Sequence, residues 1–182
     1  AAEPPKRPEV VASIASPGKV LTVEVGLDEG RASYAIKRFG ETVIAPSRLG
    51  FLLRGAEKLE RNLVLGAQST SSHDDTWEQP WGESRFVRNH YNELRVIFTE
   101  TLKDKRCFDV IFRVFDDGVG FRYVFPDQPQ LRELIIDDEL TEFHVAPEAT
   151  AWWIPAGEWN RYEYLYNRTP LVEVGQAHTP MT

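Results

Sequence analysis

Apolar and polar residues alternate along the chain from Val20 onward, with the period of two that is typical of β-strands. The alternation runs through "VLTVEV" and "ASYAIKRF", and it resumes in "ETVIAP" after Gly40. Because successive side chains of a strand point to opposite faces, the pattern predicts a meander of antiparallel strands with one buried face.

Three stretches in the middle of the chain add aromatic and β-branched residues to this alternation, and they predict the strongest sheet. They are "NELRVIFTE", "RCFDVIFRVF" and "GFRYVFP". The last two flank "DDGV", where Asp-Gly supplies the tolerance of positive φ that a tight hairpin needs. Shorter strands are predicted in four further stretches: "FLLRG", "NLVLGA", "LIIDDELTEFHV" and "ATAWWIPAG", with Pro155 ending the last.

Two other stretches lack a steady period. Residues 1–15 are interpreted as a flexible N-terminal segment, because "RPEVVASIA" has only a weak helical spacing and precedes Pro17. The polar run "STSSHDDTWEQPWGES" is interpreted as a long ordered loop. The chain therefore predicts almost no helix.

The many short strands, punctuated by Gly and Pro, predict an all-β fold, an antiparallel β-sandwich or a related closed architecture. A chain of 182 residues suits one domain, which is assigned to residues 16–182. The final stretch, "PLVEVGQAHTPMT", contains no recognisable closing strand, so the sandwich is expected to be incomplete at its C-terminal end.

Charge and composition exclude several classes of protein. A formal net charge of −7 argues against nucleic acid as a partner, since such proteins need a basic face. No apolar run approaches the roughly 20 residues of a membrane-spanning helix. Cys107 is the single cysteine, so an internal disulfide is impossible. The start at Ala1 without Met is compatible with removal of a secretory signal, although other trimming of the chain would leave the same trace; the first interpretation predicts a periplasmic or secreted protein.

The most informative polar stretch is "DDTWEQPWGESRFVRNHYNEL", residues 74–94. Trp77 and Trp81 stand beside Glu78 and Glu83, a combination that suits a sugar site. An indole stacks on the apolar face of a pyranose while carboxylates accept its hydroxyl groups. The same residues also suit a loop anchored on the edge of a sandwich, and both interpretations stay open.

The end of this stretch carries charged residues at close spacing. If it is a strand, Arg88, His90 and Asn92 share one face and Glu93 lies on the other. We therefore expect a structural hydrogen-bond network. Elsewhere the sequence has no nucleophile elbow, phosphate-binding loop or dinucleotide fingerprint, and its four histidines are too scattered for a usual zinc site.

Aromatic residues are dense between Thr150 and Leu171, in "TAWWIPAGEWNRYEYLYNRTPL". They surround Glu158 and Glu163, whose carboxylates suit a hard cation such as calcium. Calcium takes roughly six to eight oxygen ligands, so one or two acids cannot build a site alone. Other ligands would have to come from elsewhere.

Three blocks, in this order, resemble the N-terminal domain of glycoside hydrolase family 97: "WEQPWGESRFVRNHYNELRV", "FRVFDDGVGFRYVFP" and "TAWWIPAGEWNRYEYLY". The resemblance runs from about Ser16 to the end of the chain. It implies a β-supersandwich like that of galactose mutarotases, within an exported bacterial α-glucosidase or α-galactosidase. It also implies a catalytic (β/α)8 barrel and a small C-terminal β domain, neither of which is in this chain.

The resemblance also assigns roles to residues. It implies that the catalytic carboxylates lie on the barrel, that none lies in this chain, and that the chain alone is inactive. The family's N-terminal domain packs over the active site and supplies one glutamate to a calcium ion near the oligosaccharide substrate. The matching residue here is Glu163 in "YEY", with Glu158 as the fallback. Trp81 and Trp153 are the candidates for contact with the substrate.

Two other functions stay open. One is a free-standing carbohydrate-binding module that stacks sugars on tryptophans: Trp77, Trp81, Trp152, Trp153 and Trp159. The other is a mutarotase-like epimerase with His90 as general acid and Glu93 as general base. The choice between α-glucosides and α-galactosides, and between inversion and retention, is expected to lie mostly in the barrel.

Overall fold

A computed structural model describes residues 8–146, 148–158 and 162–178, and nearly all their regular structure is β. The chain divides into two compact units, Ala1–His144 and Val145–Thr182. The strands, in chain order, are β1 Glu9–Ala15, β2 Leu21–Asp28, β3 Arg31–Arg38, β4 Glu41–Arg48, β5 Phe51–Leu53, β6 Leu63–Glu78, β7 Phe86–Glu100, β8 Cys107–Val114, β9 Val119–Val124, β10 Ile136–Glu139, β11 His144–Val145, β12 Thr150–Trp153 and β13 Asn167–Pro170. One turn of 3-10 helix, Leu171–Glu173, is the sole helical element in these ranges, and no helix there has the length and apolarity to span a membrane. The prediction of an antiparallel all-β fold with almost no helix is confirmed.

The first sheet of the first unit is an antiparallel meander of β1, β2, β3 and β4, with β11 beside β4. At the β2–β3 turn, Glu29 and Gly30 both have positive φ, 46° and 75°, as a two-residue type I′ hairpin requires. A Cβ at Gly30 would also lie 3.0 Å from the backbone nitrogen of Asn62. Both the backbone conformation and this close approach therefore favour glycine at the turn.

The second sheet has the strand order β6-β7-β8-β9 and contains one long hairpin. β6 and β7 stay paired from Leu63↔Glu100 to Glu78↔Phe86, with a register shift between Leu65 and Gln68. The interpretation of residues 69–84 as a loop is therefore wrong, since residues 69–78 belong to β6. The alternation is missing because residues 66–78 are all exposed, so neither face selects apolar side chains. We call residues 69–92 of this hairpin the arm.

The two larger sheets of the first unit pack face to face around an aromatic core. Tyr34 of β3, Phe98 of β7 and both Phe108 and Phe112 of β8 are at most 1% exposed. The Tyr34 and Phe112 ring centroids lie 6.0 Å apart, and those of Phe98 and Phe108 lie 5.6 Å apart. Burying each such side chain contributes roughly 1.5–3 kcal/mol. The three stretches predicted to form the strongest sheet are β7, β8 and β9, and all three line this core, β9 through Phe121 and Tyr123.

One ion pair is buried where β7 ends. The carboxylate of Glu100 accepts hydrogen bonds of 2.6 Å from both Nε and Nη2 of Arg106, and the two residues are 2% and 5% exposed. Arg106 Nη1 also donates to the carbonyl oxygen of Glu57 at 3.0 Å. This bidentate geometry satisfies both buried charges.

Residues 9–15 differ from the flexible segment expected from the sequence. They form β1, which pairs with β2 from Glu9↔Leu27 to Ala15↔Thr22. A register shift between Val10 and Ala12 interrupts the period of two, and a bulge of this kind explains why the stretch has a weak helical spacing instead. Residues 1–7 lie outside the described ranges.

The stretch "LIIDDELTEFHV" was predicted as one strand but forms two short ones. β10 pairs with β5, and β11 lies beside β4. Between them, Glu142 accepts hydrogen bonds from the backbone N–H of Arg48 at 3.0 Å and from its Nε at 2.9 Å. The chain therefore passes from the two-stranded sheet of β5 and β10 to the first sheet within a few residues, which a single strand could not do.

The second unit is built on the two-stranded sheet of β12 and β13, in register from Thr150↔Pro170 to Trp153↔Asn167. Ala151 and Ile154, 4% and 5% exposed, are buried within it. Pro155 follows β12, as predicted, and pairs with Ala177 in an isolated bridge.

Candidate functional site

One face of the arm continues the core-facing side of β7, yet it carries a charged cluster. Arg88 donates two hydrogen bonds to the carboxylate of Asp74, from Nε at 2.8 Å and from Nη2 at 2.7 Å. His90 lies directly opposite Asp74, with Nε2 3.9 Å from the same carboxylate. The hydrogen bonds from Arg88 lower the pKa of Asp74, so this group is ionised at neutral pH and is a poor proton donor.

A second carboxylate, that of Asp116, joins the turn after β8 to the turn before β2. Its Oδ1 accepts a hydrogen bond of 2.7 Å from the backbone N–H of Gly18. A Cβ at Gly18 would lie 2.7 Å from Asp116 Oδ2, so this contact favours glycine. Hydrogen bonds from the Ser16 hydroxyl and from the Gly18 N–H lower the pKa of Asp116. The predicted structural hydrogen-bond network is confirmed.

The opposite face of the arm carries a stack of flat side chains. The His73 ring stacks on Tyr91 with centroids 5.1 Å apart, and the Arg113 guanidinium lies 4.7 Å from the Tyr91 centroid. Arg113 Nε donates to the Glu93 carboxylate at 2.7 Å. Glu93 is thus held in an ion pair on the face opposite His90, so these two residues do not form the acid/base pair of an epimerase.

The tip of the arm exposes aromatic side chains. Trp81 is 83% exposed, Phe86 58% and Trp77 49%. Arg85 forms an ion pair with Glu78 at 2.8 Å, which closes the base of the tip. Trp81, a predicted substrate contact, therefore presents its indole to solvent.

The second unit positions Trp152 and Trp153 next to each other on β12, so their side chains point to opposite faces. Trp152 is 47% exposed, and the Arg168 guanidinium lies 5.7 Å from its ring. Trp153, the other predicted substrate contact, is half-buried and donates from Nε1 to Thr169 Oγ1 at 3.1 Å. This hydrogen bond fixes the orientation of the Trp153 indole.

Glu163, the predicted calcium ligand, lies in the segment before β13, and its side chain is exposed. Glu158, the fallback, is exposed as well, whereas Trp159 lies outside the described ranges. Within those ranges, no group of three or more His, Cys, Asp or Glu side chains could hold a metal ion. Because calcium needs roughly six to eight oxygens, Glu163 fits the role of one ligand and the described residues do not complete a site.

The position of His178 beside the segment that carries Glu163 was not predicted from the sequence. The His178 ring lies edge-on to Tyr162, with centroids 4.9 Å apart, and its backbone N–H donates to the carbonyl oxygen of Ile154. The Nε2 atom of His178 is buried and has no hydrogen-bond partner in the described part of the chain. The contact depends on how the chain returns after β13, so no local pattern announces it.

Comparison with known proteins identifies relatives that are glycosidases. The family model described as Glycosyl-hydrolase 97 N-terminal matches residues 14–182. A retaining alpha-galactosidase from Bacteroides thetaiotaomicron is 30% identical over 112 residues, which are 62% of this chain and 16% of that protein. A probable retaining alpha-galactosidase from Streptomyces bingchenggensis is 29% identical over 154 residues, which are 84% of this chain and 23% of that protein.

Solved structures are similar to this chain both in fold and in sequence. A glycoside hydrolase family 97 enzyme from Pseudoalteromonas sp. strain K8, in complex with acarbose, has a TM-score of 0.85 and 39% identity over 93% of this chain and 26% of that chain. A beta-arabinopyranosidase has a TM-score of 0.75 and 25% identity over 86% of this chain and 26% of that chain. This chain thus spans about a quarter or less of the length of these relatives. The match over residues 14–182 shows that the chain belongs to the Glycosyl-hydrolase 97 N-terminal family.

Proposed function

We propose that this chain is the non-catalytic N-terminal domain of an exported, calcium-dependent α-glycosidase, either an α-glucosidase or an α-galactosidase. The observation that carries the proposal is a contrast between carboxylates. Those of Asp74, Glu93 and Asp116 are held by arginines or backbone N–H groups, whereas Glu163 is exposed in an aromatic segment. The domain shapes the substrate pocket and presents Glu163 to the cation.

The state of the acids in the first unit supports a non-catalytic role. Hydrolysis of a glycosidic bond uses one carboxyl group that protonates the leaving oxygen and a second that activates water or attacks the sugar. The proton donor needs a raised pKa. The hydrogen bonds described above lower the pKa of Asp74 and Asp116, and hydrogen bonds from Arg48 lower that of Glu142. These three carboxylates are therefore unsuited to be the proton donor, and in this proposal the catalytic pair belongs to the barrel and the chain alone is inactive.

Glu163 contributes one carboxylate to the calcium site, and barrel residues supply the remaining oxygens. The contact between Tyr162 and His178 holds the segment that carries Glu163. When bound, the cation would polarise the leaving-group region or orient the sugar.

Trp81 and Trp153 contact the oligosaccharide in this proposal. The exposed indole of Trp81 offers a flat face to a pyranose ring, and the hydrogen bond to Thr169 orients Trp153 in advance. A fixed ring loses little conformational entropy when it binds, which favours Trp153 as a specific contact.

The test measures hydrolysis of aryl α-glucosides and aryl α-galactosides by the 182-residue chain and by the full-length protein, with calcium and with a chelator. We expect activity in the full-length protein alone, and we expect chelation to abolish it. Hydrolysis by the 182-residue chain itself would overturn the proposal, because the catalytic carboxylates would then lie here.

A pair of variants tests the ligand. Glu163→Gln in the full-length protein keeps the size of the side chain and removes its charge. We expect the calcium concentration for half-maximal activity to rise about tenfold or more, since even outer-shell changes cost that much. Glu158→Gln, an equally exposed neighbour, is the matched control and should change nothing. A reversed result would move the ligand to Glu158, and no effect in either variant would remove the N-terminal ligand altogether.

Export is proposed on the family resemblance and is tested separately. Cells that express the full-length gene are fractionated, and the protein is followed by immunoblot. We expect it in the periplasm or the medium, and accumulation of the unprocessed protein in the cytoplasm would contradict this part of the proposal.

A second candidate function, a free-standing carbohydrate-binding module, is favoured by the exposure of Trp77, Trp81 and Trp152. It requires that the 182-residue chain bind neutral oligosaccharides by itself. Titration with panose and acarbose, followed by tryptophan fluorescence, distinguishes the two functions. Saturable binding that Trp81→Ala abolishes would favour the module.

A further inference from the structure

The second sheet contains a hollow at the β8–β9 hairpin, on the face away from the core. Phe112 and Val114 are fully buried in the core, so Ile111 and Arg113, which alternate with them on β8, point to the other face. The cavity volume is about 250 Å³. Its lining residues are Ile111, Arg113, Phe115, Gly120, Phe121 and Arg122.

A glycine near the start of β9 leaves this space open. Gly120 pairs with Arg113 across the hairpin, and a Cβ at Gly120 would have no heavy atom within 4 Å. The φ angle of Gly120 is not positive, so its backbone conformation does not require glycine. A glycine inside a strand costs stability and often marks a place where a ligand approaches the backbone closely.

The two arginines that border the hollow differ in their partners. Arg113 is held at one wall by its ion pair with Glu93 and its position over Tyr91. Arg122 lies opposite Ile111 in the β8–β9 pairing and is exposed, and its side chain has no hydrogen bond or ion pair with another described residue. An unused guanidinium binds a planar carboxylate best, through two parallel N–H···O hydrogen bonds.

The floor of the hollow is apolar. Ile111 is 8% exposed although it lies on the face away from the core, and Phe115 packs on Tyr91 with centroids 5.1 Å apart. The matching ligand therefore combines a carboxylate with a compact body that has an apolar side. A uronic acid has both, because its carboxylate is attached to a pyranose ring with an apolar C–H face.

We propose that this hollow binds a uronic acid unit of a glycan, with Arg122 holding the carboxylate and Gly120 admitting the sugar ring. The site would attach the glycosidase to acidic polysaccharide. The proposal rests on membership of a glycosidase family and on the geometry of β8 and β9, and it uses neither the calcium ligand nor the barrel. Its failure would leave the proposed function untouched.

The test titrates the 182-residue chain with D-galacturonate and with D-galactose, followed by the amide chemical shifts of β8 and β9. These sugars differ only at C6, where a carboxylate replaces a hydroxymethyl group. We expect galacturonate to bind with a dissociation constant of about 10 mM or tighter. Galactose should bind at least about tenfold more weakly, because it lacks the charge-assisted hydrogen bonds. A third titration with acetate separates the sugar acid from carboxylates in general, and equal binding of acetate would overturn the assignment to a sugar.

Variants locate the site. Arg122→Gln should weaken galacturonate binding about tenfold or more. The matched control is Arg132→Gln, which changes another exposed arginine that has no hydrogen bond or ion pair with the described residues. Gly120→Val should fill the hollow and abolish binding without unfolding the chain, since valine suits a strand and meets no neighbour. Equal losses in the two arginine variants, or no binding by the unchanged chain at about 10 mM, would overturn the proposal.

Discussion

The two halves of the β6–β7 hairpin are held together in different ways, although the same two strands form both. In the inner half, Leu94, Val96 and Phe98 of β7 are at most 1% exposed. In the arm, most side chains on both faces are polar, Tyr91 is the one buried residue, and pairs such as Arg88 with Asp74 connect the strands. The comparison teaches that cross-strand hydrogen bonds and side-chain pairs suffice to extend a hairpin that a buried half has already placed in register.

Removing an aromatic ring from the core should have the largest effect on the free energy of unfolding. Phe108→Ala should lower the free energy of unfolding by about 3–5 kcal/mol, because it leaves a cavity among Phe51, Phe98 and Tyr123. The matched change in the arm, Phe86→Ala, should stay within about 0.5 kcal/mol, since that ring is 58% exposed. Urea unfolding followed by fluorescence measures both. A comparable loss in Phe86→Ala would mean that the arm also depends on burial.

The buried ion pair gives the next largest effect. Glu100→Gln should cost about 3 kcal/mol, because Arg106 would remain buried without a counter-charge. The control is Asp137→Asn, whose pair with Arg54 has side-chain exposures of 40% and 67%, and it should cost about 0–1 kcal/mol. Denaturant unfolding at neutral pH checks the difference. Equal costs would show that the Glu100 carboxylate is not needed as a counter-charge.

A smaller effect is expected in the pH dependence of stability. Hydrogen bonds from Arg48 lower the folded-state pKa of Glu142 below its usual 4.5. The resulting stabilisation is present above about pH 4.5 and is lost as the pH falls through the lowered value. Glu142→Gln should therefore flatten the decline of stability between about pH 5 and pH 3, by roughly 1 kcal/mol or less for so accessible a pair.

Glu133→Gln is the control for this titration, since Glu133 is exposed and has no hydrogen bond or ion pair with the described residues. Its unfolding curves at each pH should follow those of the unchanged chain. Asp74→Asn in the arm should alter the acid decline in the same direction as Glu142→Gln, because Arg88 lowers the pKa of Asp74 as well. An unchanged decline in Glu142→Gln would show that the Arg48 contact contributes nothing in solution.

The smallest effect on stability is expected at the tip of the arm. Trp81→Ala should leave the free energy of unfolding within about 0.5 kcal/mol, because 83% of the residue is already exposed. If Trp81 contacts the oligosaccharide, KM of the full-length protein should rise while the thermal midpoint stays unchanged. An unchanged KM would remove Trp81 from the substrate contacts.

The sequence predicts the inner half of the hairpin well and the arm poorly, for the same reason. Period-two alternation arises where one face is buried and the other is wet, and this holds for residues 94–100 but not for residues 69–78. The bulge in β1 hides a strand in a related way, by shifting the alternation between Val10 and Ala12.

The candidate site follows a similar division. The exposed tryptophans and Glu163 are visible as local clusters of aromatic and acidic residues, although the role of Glu163 came from the family resemblance. The contact between Tyr162 and His178 and the hollow at Gly120 depend on pairings between separate segments. The β8–β9 pairing lies within one short window of sequence, but that window does not show that Gly120 leaves a hollow, and Tyr162 and His178 are too far apart for a local pattern to announce their contact.

The hydrogen bond from Gly18 to Asp116 has a consequence for the order of folding. The two residues are 98 positions apart, so their contact forms after the turn before β2 has met the end of β8. Closing so long a segment loses chain entropy before the contact returns any free energy, which makes it a late event in a fold of slow, non-local pairings. Asp116→Ala should therefore speed unfolding and leave the refolding rate almost unchanged, so this residue lengthens the lifetime of the native sandwich without helping it to form.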